Sequence, residues 1–178
     1  NGAPLARLWF HPRFLLINGE KMSKSKGNFY TVRQLIEQGH EPAAIRLELI
    51  KTHYRSNANF TDQGLKDSAR VIDRWRRALE SADRSRGPSP EAGDADARAV
   101  CLREFAEAMN DDLNVAGAIA AVNRWLNDLA TPTPGDGVLL REFDAVFGLF
   151  DLPRAQGQET DIGLFAPGVE PDPVVIQK

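Results

Sequence analysis

The sequence predicts a mainly α chain, with one short β-strand and a lysine-rich loop near its start and an antiparallel helical bundle behind them. Three observations carry this. After Thr61, apolar residues recur at steps of three or four in four successive segments, the period of an amphipathic helix. Short runs rich in Pro, Gly, Ser and Thr separate those segments, and helices joined by short connections pack antiparallel. Before them, residues 13–20 read as a strand ending in the turn pair Asn18-Gly19.

The strand leads into Lys21-Met22-Ser23-Lys24-Ser25-Lys26-Gly27-Asn28. Three ammonium groups with no acid among them put a positive field on a loop. That suits a polyanion which must be bound, neutralised as it leaves and released. The bland reading is solvated charge, the usual state of lysine. Thr31 and Gln34 form a capping box for a short helix over 32–37, with Gly39 as its stop. Pro42 suits the first turn of a helix running to about His53, whose crowded Ile45, Leu47, Leu49 and Ile50 imply burial on more than one side. Thr61 and Asp62 open a long helix with the stripe Leu65, Ala69, Ile72, Trp75 and Leu79. Arg70, Arg74 and Arg77 share another face. They could meet phosphates, but Asp73 and Glu80 beside them equally suggest a solvated surface.

Residues 84–93 read as a linker. A second bundle helix is expected over 94–109, with Val100, Phe105 and Met109 on its apolar side. Asn114 is placed to cap a third over 115–129, carrying Ile119, Val122, Trp125 and Leu126. Residues 131–137 read as a turn, and a fourth helix as 138–150, through Leu140, Phe143, Val146 and Phe147. Trp75 and Trp125, at helical spacing, read as core. Asp111 and Asp112 read as carboxylates capping a helix junction. From Pro153 the pattern is lost, and 153–178 read as mostly irregular. The domain reading is 1–62, 63–152 and 153–178.

Composition bounds the function. The lone cysteine, Cys101, excludes an internal disulfide framework and reads as a buried core thiol. No apolar run approaches the ~18 residues that span a membrane. A formal charge of −3 does not announce nucleic-acid binding, although basic groups clustered on one face would permit it. A monomeric cytoplasmic protein is expected.

The loop's core, Lys21-Met22-Ser23-Lys24-Ser25, resembles the KMSKS signature of class I aminoacyl-tRNA synthetases. Around it, Gly19-Glu20, Gly27-Asn28-Phe29, Thr31-Val32-Arg33, Ala44-Ile45-Arg46-Leu47, His53-Tyr54-Arg55-Ser56, Asn59-Phe60-Thr61-Asp62 and Ala108-Met109-Asn110-Asp111-Asp112-Leu113-Asn114 are similar to the cysteinyl-tRNA synthetase family, in order. Pro12-Arg13, Lys26 and Asn110 depart from the family pattern. The resemblance implies the end of a class I catalytic domain followed by that family's helical domain. It implies that the loop closes over ATP (with Mg2+), which residues 21–25 would contact. Lys21 and Lys24 would then stabilise charge developing on the departing pyrophosphate, and Gly27 would let the loop swing. The implied partners are cysteine, ATP and tRNA(Cys), with Arg46, Lys51 and Arg55 as candidates for the acceptor stem.

The HIGH histidines of the class are not found: His11, His40 and His53 lack the required neighbours. Nor are the several ligands of the family's zinc, which suits a substrate thiolate. The expectation is therefore a C-terminal piece of a longer enzyme, metal-free and inactive alone, lacking an anticodon-binding module. Two alternatives stand. One is the related ligase that joins activated cysteine to a glucosaminyl-inositol in mycothiol synthesis. Against it, Phe29-Tyr30-Thr31-Val32-Arg33 and Asn59-Phe60-Thr61 look more like the synthetase. The other is a non-catalytic helical RNA-binding or interaction module.

Overall fold

A computed structural model describes residues 6–23, 25, 27–85 and 92–152, side chains at 92–94 excepted. Strand β1, Leu15–Ile17, turns at Asn18 (φ 50°) and Gly19 (φ 82°) into β2, Glu20–Lys21. Two successive positive φ values give the hairpin turn whose twist matches its strands, and Asn-Gly tolerates them. Leu16 pairs with Lys21 and Ile17 with Glu20. A third strand, β3 (Ala58–Phe60), lies parallel to β1 on its other side, giving the order β2-β1-β3. It was not expected. Three residues are too few to show alternation, and its partner lies some forty positions earlier, across the crossover that a parallel pair needs.

That crossover holds α1 (Val32–Glu37) and α2 (Pro42–Ile50). The expected capping box is present: the Gln34 amide donates to Thr31 Oγ1 at 3.2 Å, and the Thr31 amide to Gln34 Oε1 at 2.9 Å. Helix α2 stops at Ile50 rather than near His53, because residues 51–57 turn the chain into β3. Helix α3 (Asp62–Arg84) starts on Thr61, whose hydroxyl accepts the Gly64 amide at 3.0 Å.

Helices α4 (Ala92–Asn110), α5 (Val115–Asp128) and α6 (Pro134–Phe147) follow. The proposed cap of α5 holds, with Asn114 Oδ1 accepting the Gly117 amide at 2.9 Å. Helix α6 begins earlier than expected. Asp136, fully buried, accepts the amide and hydroxyl of Thr133, both at 2.7 Å, and pairs with Arg98 at 3.1 Å. The run read as a turn is thus a cap with proline at the first helical position.

Contacts fix the directions of the helices. Arg124 meets Glu104 and Gly117 lies against Ala108, so α5 runs antiparallel to α4. Trp75 meets Phe147 and Asp83 meets Arg141, so α6 runs antiparallel to α3. Arg98 meets Asp136 and Phe105 stacks on Phe143, so α4 and α6 are parallel. The bundle is up-down-up-down.

Its core gathers Ile72, Trp75, Cys101, Phe105, Val122, Trp125, Leu140, Phe143 and Phe147. Trp75, Trp125 and Cys101 are buried, as their spacing implied, and burial pushes the Cys101 thiol up to about 12. A second, smaller core under the sheet joins Ile17, Leu35, Ile45, Phe60 and Leu65. Helix α2 serves both: Ala43 and Leu47 face the bundle core, and Ile45 faces the other.

Candidate active site

The loop after β2 is held by side chains more than by a core. Lys21, the last residue of β2, is fixed by its pairing with Leu16. Its exposed ammonium lies 4.7 Å from the centre of the Phe14 ring, a cation–π contact. Met22 packs against the smaller core. Asn28 then ties the loop's two ends together: its Oδ1 accepts the Ser23 amide at 2.8 Å and its Nδ2 donates to the Lys21 carbonyl at 3.3 Å. The hydroxyls of Ser23 and Ser25 are 2.9 Å apart. Gly27, at φ 70° with open space around its α-carbon, makes the return bend. Lys24 and Lys26 lie outside the described residues. The result is a short polar loop with an exposed cation at its base, free to meet an anion without disturbing buried packing.

Asn28 was not singled out from the sequence. An Asn after Gly reads as turn chemistry, and only the fold shows both of its amide groups spent on the loop's other limb.

The three candidate acceptor-stem cations all have partners within the chain. Arg46 Nε donates to the Phe147 carbonyl at 2.6 Å, at the end of α6. Lys51 pairs with the buried Glu48 at 2.5 Å, and Glu48 also accepts the Ser68 hydroxyl at 2.7 Å. Arg55 Nε donates to Asp112 at 2.6 Å. Of the arginine row on α3, Arg70 pairs with Asp67 and Arg77 reaches the Asp73 carbonyl, while Arg74 turns inward to Asn123 and Asn127 on α5.

Asp112 corrects the reading of the two aspartates as caps. The cap of α5 is Asn114. Asp112 takes a left-handed backbone and turns its carboxylate back to Tyr54 and Arg55. The hydrogen bonds from Arg55 and Tyr54 hold that carboxyl down at about 2, and the same bond raises the Tyr54 hydroxyl above its ordinary value.

Among the described residues, no three His, Cys, Asp or Glu side chains converge as a metal would need. The described residues do not fit a zinc site. No helix of the described residues is long and apolar enough to cross a membrane.

Residues 1–70 match the family model described as the tRNA synthetases class I (C) catalytic domain. The chain is cysteinyl-tRNA synthetase-like. The cysteine–tRNA ligase of Pseudomonas aeruginosa is 42% identical over 68% of this chain and 24% of its own length. That of Solibacter usitatus is 35% identical over 90% of the chain and 37% of its own length. The L-cysteine:1D-myo-inositol 2-amino-2-deoxy-alpha-D-glucopyranoside ligase of Streptomyces coelicolor is 40% identical over 82% of the chain and 34% of its own length. The matches therefore span only 24–37% of the length of these relatives.

Proposed function

We propose that this chain supplies the pyrophosphate-side loop of an enzyme that activates cysteine with ATP to cysteinyl adenylate and transfers it to tRNA(Cys). The observation that carries the reading is the Lys21–Asn28 loop itself: a Lys-Met-Ser-Lys-Ser sequence, tied at its base by Asn28, with the exposed Lys21 ammonium at the end of a strand. A cation held on a strand end and a second on the loop it leads into can meet charge that grows on the β- and γ-phosphates of Mg2+-ATP. Such groups lower the barrier because they interact more strongly with the transition state than with the ground state. The Ser23 and Ser25 hydroxyls and Met22 would line the nucleotide side. Arg46, Lys51 and Arg55 are proposed for the acceptor stem, and each would have to reach it from a contact made within the chain.

The experiment is a chimera in which the aligned residues of this chain replace their counterpart in the Solibacter usitatus ligase, whose match covers 90% of the chain. It should catalyse cysteine-dependent pyrophosphate exchange. Lys21→Ala or Lys24→Ala should then lower the activation rate by on the order of 10² to 10³, the scale for one preorganised electrostatic contact, with little change in cysteine affinity. An unchanged rate with weakened cysteine binding would leave the loop as ordinary charged surface. A second reading, transfer to an aminoglucosyl-inositol amine, is supported by the Streptomyces coelicolor relative, 40% identical over 82% of the chain, beside 35% over 90% for the Solibacter usitatus cysteine–tRNA ligase. Offering the active chimera both acceptors tests the choice.

A further inference from the structure

The turn that follows α2 meets the bundle at a polar joint that the proposed chemistry leaves unexplained. Asp112 and Leu113, between α4 and α5, both have left-handed backbones (φ 52° and 58°), a conformation that residues with a β-carbon rarely adopt. The bend aims Asp112 at the 53–55 turn and places three side chains on one residue. Tyr54 Oη donates to Oδ1 at 2.6 Å. Arg55 donates from Nε to Oδ2 at 2.6 Å and from Nη2 to Oδ1 at 3.4 Å. His53 Nε2 lies 2.9 Å from the Asp112 carbonyl while its Nδ1 accepts the Arg55 amide at 3.2 Å, so the Nε2-protonated tautomer satisfies both.

The clamp is too exposed to serve stability: the Arg55 and Asp112 side chains are 66% and 47% accessible, and such pairs contribute little to folding. Packing at the joint is also incomplete. A cavity of about 230 Å³ lies there, bounded by Phe10, Arg13, Leu49, Tyr54, Leu113 and Val115. Phe10 meets the Tyr54 ring at 4.5 Å on the strand side, while the polar contacts to Asp112 are what tie the turn to the bundle.

From that turn, two short routes reach Lys21. The Tyr54 carbonyl accepts the Arg13 amide at 2.8 Å, next to Phe14, whose ring lies under the Lys21 ammonium. Three residues beyond Arg55, β3 begins. Its Phe60 carbonyl accepts the Asn18 amide at 3.2 Å and its Asn59 side chain the Gly19 amide at 2.7 Å, fixing the hairpin turn that delivers Lys21.

We infer that Asp112 is a positioning residue for the lysine loop: through the 53–55 turn and β3 it sets the hairpin from which Lys21 projects. The role in catalysis rests on the function proposed above; the mechanical link does not.

Hydrogen exchange on this chain tests the link. Asp112→Asn keeps the side chain's size and one acceptor but removes the charge that Arg55 meets. It should speed exchange of the Asn18 and Gly19 amides on the order of tenfold, within the usual range for coupled sites, and leave Val122 and Phe143 in the bundle unchanged. Asn59→Ala should speed Gly19 by itself, and adding Asp112→Asn should then have a reduced effect, because both act on one path. Unchanged Asn18 and Gly19 amides, or a uniform acceleration reaching Val122, would overturn the inference. In the chimera, Asp112→Asn should lower kcat for pyrophosphate exchange about tenfold with the KM for cysteine unchanged. An unchanged kcat beside a loosened hairpin would overturn the catalytic role. If the unsubstituted chimera gives no exchange, the function fails and the exchange data alone decide the link.

Discussion

The bundle closes on ring against ring. Phe105 stacks on Phe143 at 4.4 Å, and Trp125 and Phe147 meet the same pair edge-on. The lysine loop, by contrast, closes on one amide side chain, Asn28, and stands on a sheet of three short strands over a core of five buried residues. Apolar burial is non-directional and cumulative, so the bundle resists displacement as a unit. A hydrogen bond to an exposed loop is exchanged for water at little net change, so opening the loop costs little. The same chain thus separates a part held by burial from a part held by single polar contacts.

Substitutions sharpen the contrast. The largest effect belongs to the bundle core: Phe143→Ala should destabilise the chain by about 3–5 kcal/mol, visible as a clear fall in the denaturant midpoint. Gly64→Ala comes next. A methyl there would collide with Glu48 Oε1, displacing a buried carboxylate from Ser68 and Lys51 at about 1–3 kcal/mol. Unchanged thermal stability would show that Glu48 is not held as described. Asn114→Ala should remove about 1 kcal/mol with the α5 cap.

On the loop side the expected sign is the same but the size is not. Asn28→Ala should shift stability by no more than about 0.5 kcal/mol, while the Ser23 amide loses its protection from exchange. A loss as large as that of Phe143→Ala would erase the distinction between the two regions. Smallest of all is a pH effect. The Asp112 carboxyl is depressed to about 2 in the folded chain, against roughly 3.9 when unfolded. Its contribution is therefore complete above the unfolded value and is lost as pH falls through about 2. The Tyr54 ring signals should follow that titration, and Asp112→Asn should abolish it.

The bundle was largely legible in the sequence because its signals are local. The stripe from Leu65 to Leu79, Thr61 and Asn114 as caps, and Pro42 at a first turn each depend on neighbours within a few positions. The hairpin announced itself through Asn18-Gly19 for the same reason. Where the reading missed, the deciding partner was distant. Strand β3 exists because β1 lies beside it, and the Asp112 clamp joins residues more than fifty positions apart. The start of α6 was missed for a local reason: Thr133 and Asp136 form the cap, yet Pro134, Gly135 and Gly137 around them mimic a turn. Of the site, the lysine-bearing segment was readable as a motif, whereas the role of Asn28 in tying it was not.

Cys101 makes the loop open to direct observation. It is the chain's single thiol, it is buried, and its proton is held up to about 12, so the reactive thiolate is scarce at neutral pH. A cysteine introduced at exposed Ser25 would be the one thiol that a maleimide dye modifies readily. The chain would then carry a fluorophore on the lysine loop without any prior removal of native cysteine, and any opening or closing of that loop could be followed by light.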